Sequence, residues 1–152
     1  MLCIRGKSCF ALFKFCLSYS NWKILHYNEV TMQKPYDLQE RTFLFAKDVR
    51  KFCRDVPKKF VLIEDLKQLL RSSGSVGANY IEADEALSPK DRIVRLKICR
   101  KEAKESIYWL RLIQESLLSE HESMRILLQK EATELKLIIH TIIAKSASNS
   151  SV

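Results

Sequence analysis

FVLIEDLKQLLRSSGSVGANYIEADEALSPKD, residues 60–91, is the stretch that decides the fold. Leu62, Leu66, Leu69, Ser73, Val76, Tyr80, Ala83 and Leu87 recur at alternating spacings of four and three. That is the seam of a helix packed in a bundle, and it predicts one continuous helix from about Phe60 to Leu87. A strand would need strict apolar–polar alternation, which this stretch does not have. Ser88-Pro89-Lys90-Asp91 then ends one helix and opens the next, with Ser88 as N-cap, Pro89 at the first helical position and an acid two residues later.

The same periodicity extends outward in both directions. Upstream, Asp37 followed by Glu40 has the spacing of a capping box. Phe45, Val49, Phe52 and Val56 then form one apolar face before Pro57 stops the helix. Downstream, Leu96, Cys99, Ala103, Ile107, Leu110, Ile113 and Leu117 mark a third helix from Pro89 to about Leu118. The polar run Ser119-Glu120-His121-Glu122 provides a break. Met124, Leu128, Ala132, Leu135, Ile139 and Ile142 mark a fourth helix ending near Lys145, and residues 146–152 read as a polar tail. Short connections between long helices force each to double back on its predecessor. The expected fold is all-α, an antiparallel up-down-up-down four-helix bundle over residues 33–145.

Composition agrees with this. The chain has 152 residues, a one-domain length, with 47% hydrophobic and 29% charged residues. Three glycines and three prolines are too few for a turn-rich sandwich or barrel.

Residues 1–31 read differently. They hold Cys3, Cys9 and Cys16, and four basic residues against the single acid Glu29. The apolar run from Cys9 to Leu17 is interrupted by Lys14 and falls short of the roughly twenty residues a membrane span needs. A secretory signal is the alternative, since Arg5 and Lys7 precede the run, but no A-x-A-like cleavage site follows. The expectation is a non-native or disordered extension, translated from a mis-assigned start, with Met32 as the natural first residue.

Five cysteines, an odd number, include no C-x-x-C pair, and His26, His121 and His140 share no ligand spacing. No metal and no cofactor are expected, and the thiols point to a reducing, cytoplasmic setting. Catalysis finds no support either. Glu82, Asp84 and Glu85 form an acidic patch, but the paired Glu-x-x-His motifs of di-metal bundles are missing, and no nucleophile constellation occurs. The chain is expected not to be an enzyme.

Two polar stripes remain as candidate binding surfaces. Arg71, Ser75, Asn79 and Glu82 follow at spacings of four, four and three beside the seam, with Gly74 and Gly77 among them. The G-x-x-G spacing lacks the strand and the G-K-[ST] of a phosphate loop. Small residues at 73, 74, 77 and 78 would instead let another helix approach closely, making Arg71, Ser75, Gly77, Asn79 and Glu82 candidates for self-association. The second stripe is Lys97, Lys101, Lys104, Tyr108 and Arg111, flanked by Arg100. Basic rows interleaved with an aromatic suit a phosphate backbone. Lys47, Arg50, Lys51, Arg54, Lys58 and Lys59 add to a net charge of +8 and a pI near 9.3. The plain alternative is a solvated face partly neutralised by Glu102 and Glu105.

Several segments together resemble the 23S rRNA intervening-sequence protein family, small bacterial proteins sometimes labelled ribosomal. They are Asp37-Leu38 through Glu40-Arg41-Thr42, Phe45-Ala46, Gln68 to Ser72, Ser75 to Ala83, and Lys101 to Leu110. The resemblance covers roughly residues 33–145 and implies a bundle assembling as a ring-like homopentamer with an RNA- or other nucleic-acid-binding role. It also implies similarity in fold to the accessory protein of diversity-generating retroelements, and hence the alternative of a homo-oligomeric interaction scaffold. By position, Arg71, Asn79 and Glu82 fall in the family's second-helix signature. Glu102, Tyr108 and Trp109 fall in that of the third helix. The resemblance assigns catalysis to none of them, and no membrane partner is expected.

Overall fold

Leu38 opens the first helix directly after Asp37, and Pro57, which cannot donate to a helical carbonyl, follows its end. The computed structural model describes residues 37–57 and 60–149. The expectations for residues 1–31, Lys58 and Lys59 lie outside them. Four helices follow in order: α1 (Leu38–Asp55), α2 (Phe60–Asp84), α3 (Pro89–Gln114) and α4 (Ser119–Asn149). No strand occurs among the described residues.

The apolar faces read from spacing form the core. Phe45, Val49, Phe52 and Val56 are buried from α1 and its end. Leu62, Leu66, Leu69, Val76 and Ala83 are buried from α2. They meet Leu96, Cys99, Ala103, Leu110 and Ile113 of α3, and Leu128, Ala132, Leu135 and Ile139 of α4. Burying each large aliphatic side chain contributes about 1.5–3 kcal/mol.

Contacts between neighbouring helices run in opposite senses. Along α2 and α3, Ser72 meets Ser106, the Val76 carbonyl meets the Cys99 thiol, and Glu82 pairs with Arg95. Along α3 and α4, Arg125 reaches Leu110 and Arg100 reaches His140. Along α1 and α2, Thr42 lies beside Gly77 and Arg50 beside Gly74. Arg41 closes the circuit by bonding Glu131 and Glu134 of α4. The four described helices therefore pack as an antiparallel bundle.

The second helix ends at Asp84, three residues before the expected Leu87, which is fully exposed. The cause is the next cap. Ser88 adopts an extended backbone, φ −147° and ψ 154°, so that its hydroxyl accepts from the Asp91 amide at 3.1 Å. Residues 85–87 must unwind to deliver it, and Pro89 disfavours helical backbone at the residue before it. The third helix likewise stops at Gln114, short of Leu118. The fourth continues through residues 146–149, part of the expected polar tail.

Polar residues also hold core positions. Ser106 is fully buried where the apolar pattern favoured its half-buried neighbour Ile107. Its hydroxyl shares a 2.9 Å hydrogen bond with the equally buried Ser72. Tyr80 is only half-buried, and near the end of α4 Ile143 is buried more deeply than Ile142.

Candidate nucleic-acid interface

Helical periodicity divides the side chains of α3 into three directions. Arg95 and Ser106 turn toward α2, because they engage Glu82 and Ser72 respectively. Arg100 turns toward α4, where its Nη1 donates to His140 Nδ1 at 2.9 Å. The direction between these, pointing away from the core, belongs to Lys97, Lys101 and Tyr108, with Lys104 and Arg111 leaning toward α4. Lys97, Lys101, Lys104, Tyr108 and Arg111 are all exposed, and Arg100 is half-buried.

The two acids within this segment, Glu102 and Glu105, are both half-buried. Burial, reinforced by the negative charge of Glu105, pushes the Glu102 carboxyl above the usual range, while Lys101 and Arg71 oppose the shift. Glu105 accepts from Trp109 Nε1 at 3.2 Å. Lys97, Lys104 and Arg111 form no ion pair with any described residue. The expected partial neutralisation by Glu102 and Glu105 therefore reaches mainly Lys101.

The adjoining side of α4 extends the basic surface. Arg125, Gln129, Lys136 and His140 share one side of that helix, with Arg125 and His140 both reaching α3. Lys130 lies exposed on the outer face of the same helix. Spacing within α4 gave no signal for Lys130, Lys136 or His140, since they are isolated basic residues that matter only beside α3. Arg125 itself is buried and belongs to the packing of the bundle.

The α2 stripe is not a single surface. Gly77 is buried against Thr42 of α1, and a Cβ built there would sit 3.7 Å from Thr42 Oγ1. The helix that approaches the small-residue segment is thus α1 of the same chain, so Gly77 is not available to a second copy. Glu82 is tied to Arg95, which also lies 3.7 Å from Asp91. Asn79 Nδ2 donates to the Ser75 carbonyl at 2.8 Å, within the helix. Ser75 and Asn79 are half-buried and only Arg71 and Glu82 are exposed.

A shallow groove lined by Arg125, Ile126, Gln129, Lys130, Thr133 and Glu134 lies open along one helix. Among the described residues, no three His, Cys, Asp or Glu are grouped to hold a metal ion, and no helix is long and apolar enough to cross a membrane. Cys53 and Cys99 are free and buried, and burial pushes both thiols up to about 12, so neither supplies a thiolate near neutral pH.

The described residues define a small all-α four-helix bundle with a row of exposed basic residues along α3. The chain belongs to the 23S rRNA-intervening sequence protein family, whose model matches residues 34–141. It is similar to a crystallised protein of unknown function from the S23 ribosomal protein family of Bacteroides thetaiotaomicron. That likeness has 34% sequence identity and a TM-score of 0.59, and it covers 69% of this chain and 96% of the other. No curated protein is matched.

Proposed function

We propose that this protein is a non-enzymatic, cytoplasmic RNA-binding bundle that engages the phosphate backbone through the α3–α4 face. One observation carries the reading: Lys97, Lys101, Lys104 and Arg111 are exposed along one side of α3, while Glu102 and Glu105, the two acids between them, are half-buried. A single-sign row on a rigid helix is what a polyanion requires, because each phosphate neutralised releases counterions. The family's name, taken from an intervening sequence in rRNA, makes structured RNA the first substrate to try. The bundle is further proposed to act as a homo-oligomer, a homopentamer by the resemblance. Supporting self-association, Ile126 and Leu137 on the outer face of α4 are 51% and 54% exposed.

Mobility-shift titration of the full chain against an rRNA stem-loop tests this. Binding is expected near 50 mM salt and is expected to weaken by roughly one to two orders of magnitude by about 200 mM. No binding at the lower salt, together with a stable oligomer in sedimentation, would leave the interaction-scaffold reading in its place.

A further inference from the structure

Tyr108 sits in the middle of the basic face and is 54% exposed, an unusual position for an aromatic ring on an otherwise charged surface. Its environment fixes it. The ring packs edge-on against Trp109, with centroids 5.0 Å apart and planes at 75°. Trp109 is in turn packed against the core and held by Glu105. An edge-on neighbour covers at most one face of the Tyr108 ring, leaving a flat apolar surface held in place beside Lys101, Lys104 and Arg111. Leu112, one turn further on, is 38% exposed and extends the apolar floor.

A duplex cannot use such a ring. Its bases are already stacked on one another, and the deep, narrow major groove of A-form RNA excludes side chains. Nor can α3 enter the wider major groove of DNA, because α2 and α4 flank it on either side and it does not project from the bundle. Unpaired bases have no such barrier: each offers a free π-face, and its phosphate can lie against the neighbouring cations. The row from Lys97 to Arg111 spans roughly 21 Å at 1.5 Å per residue. That length accommodates at most about six nucleotides at 3.4 Å or more apiece.

We propose that the basic face is a single-strand site in which Tyr108 is the stacking platform for an unpaired base and the flanking Lys101, Lys104 and Arg111 hold the phosphates on either side. This rests on the reading of the α3–α4 face as RNA-binding and narrows it to unpaired segments such as loops and ends.

Fluorescence anisotropy on the full chain tests it, using an unstructured RNA of about twelve nucleotides and the duplex it forms with its complement. The wild type binds the single strand more tightly than the duplex. Tyr108→Ala lowers single-strand affinity by about tenfold and removes the preference, and Tyr108→Phe, which keeps the ring, restores it. Thermal melts of the variants confirm that the bundle is intact, as expected for an exposed side chain. Equal wild-type affinity for both RNAs overturns the stacking site while leaving backbone binding in place. So does an equal loss of both affinities in Tyr108→Ala. Failure of the wild type to bind either RNA at low salt overturns the parent reading as well.

Discussion

Replacing Arg125 with alanine is expected to lower the unfolding free energy by about 3 kcal/mol, most of it from the cavity left by a buried side chain and from the hydrogen bonds lost. The residue is only 4% exposed. Its guanidinium grips Glu122 through two oxygens at 2.7 and 2.8 Å, bonds Gln129 at 2.5 Å, and donates to the Leu110 carbonyl of α3 at 3.3 Å. It therefore fastens the start of α4 to the end of α3, next to the connection between them. Alanine would leave a cavity where the side-chain stem packs and would strip partners from Glu122 and Gln129. Methionine keeps most of that volume, and Glu122, partly exposed, can turn to water. Arg125→Met is accordingly expected to cost only about 1 kcal/mol. Urea titration of the two variants against the parent distinguishes them. A loss below about 1 kcal/mol for alanine would mean that the buried charge fastens nothing.

The same pair sets a pH dependence. Hydrogen bonding to Arg125 holds the Glu122 carboxyl below the usual range. A carboxyl depressed in the folded state stabilises the protein above its unfolded value, about 4.3, and that stabilisation is lost as pH falls through the folded value. Stability measured from neutral pH down into this acid window should therefore fall less steeply for Arg125→Met than for the parent.

Gly77 gives the second large effect, and its sign depends on the size of the replacement. A methyl group at this position would meet Thr42 Oγ1 at 3.7 Å and the Thr42 backbone at 3.8 Å, which is ordinary contact. Gly77→Ala is thus expected to stabilise the bundle by about 0.5–1 kcal/mol, because alanine loses less backbone freedom on forming a helix. Leucine extends past that contact into the backbone of α1, and Thr42 is already fixed by its own bond to the Gln39 carbonyl. Gly77→Leu is expected to destabilise by about 2–3 kcal/mol through overpacking. Thermal unfolding of both variants checks the pair. If leucine proves as stable as the parent, α1 and α2 do not approach closely here, and the glycine needs another explanation.

These two positions show why the sequence was legible in some places and not in others. Helix number and order followed from apolar spacing, since Phe45, Val49, Phe52, Leu66, Leu96 and Leu135 each repeat on a helical period and are buried. The same reading is blind to polar atoms that find partners. Thr42, Ser72, Ser106 and Arg125 are buried because each forms a hydrogen bond, and nothing in local periodicity marks a partner thirty-four residues away, as for Ser72 and Ser106. Leu87 fits the period but is exposed, because the cap chemistry of Ser88 and Pro89 overrides one apolar contact.

The candidate surface divides in the same way. Lys97, Lys101, Lys104, Tyr108 and Arg111 lie along one face of α3, as spacing alone requires. That Glu82 meets Arg95, and that His140 meets Arg100, depends on which helices are neighbours. Close approach at the glycines could be read from the small side chains, but not whether the second helix came from the same chain.

The most direct test of the α3–α4 face is the salt dependence of RNA affinity, compared between the parent and Lys101→Ala/Lys104→Ala. Each phosphate contact contributes about 0.7–0.9 to the slope of log affinity against log salt. Loss of both lysines is expected to reduce the steepness by roughly 1.4–1.8, with the thermal stability of the bundle preserved. Identical slopes for the two proteins would show that RNA, if bound, is held elsewhere, and would contradict the assignment of this face.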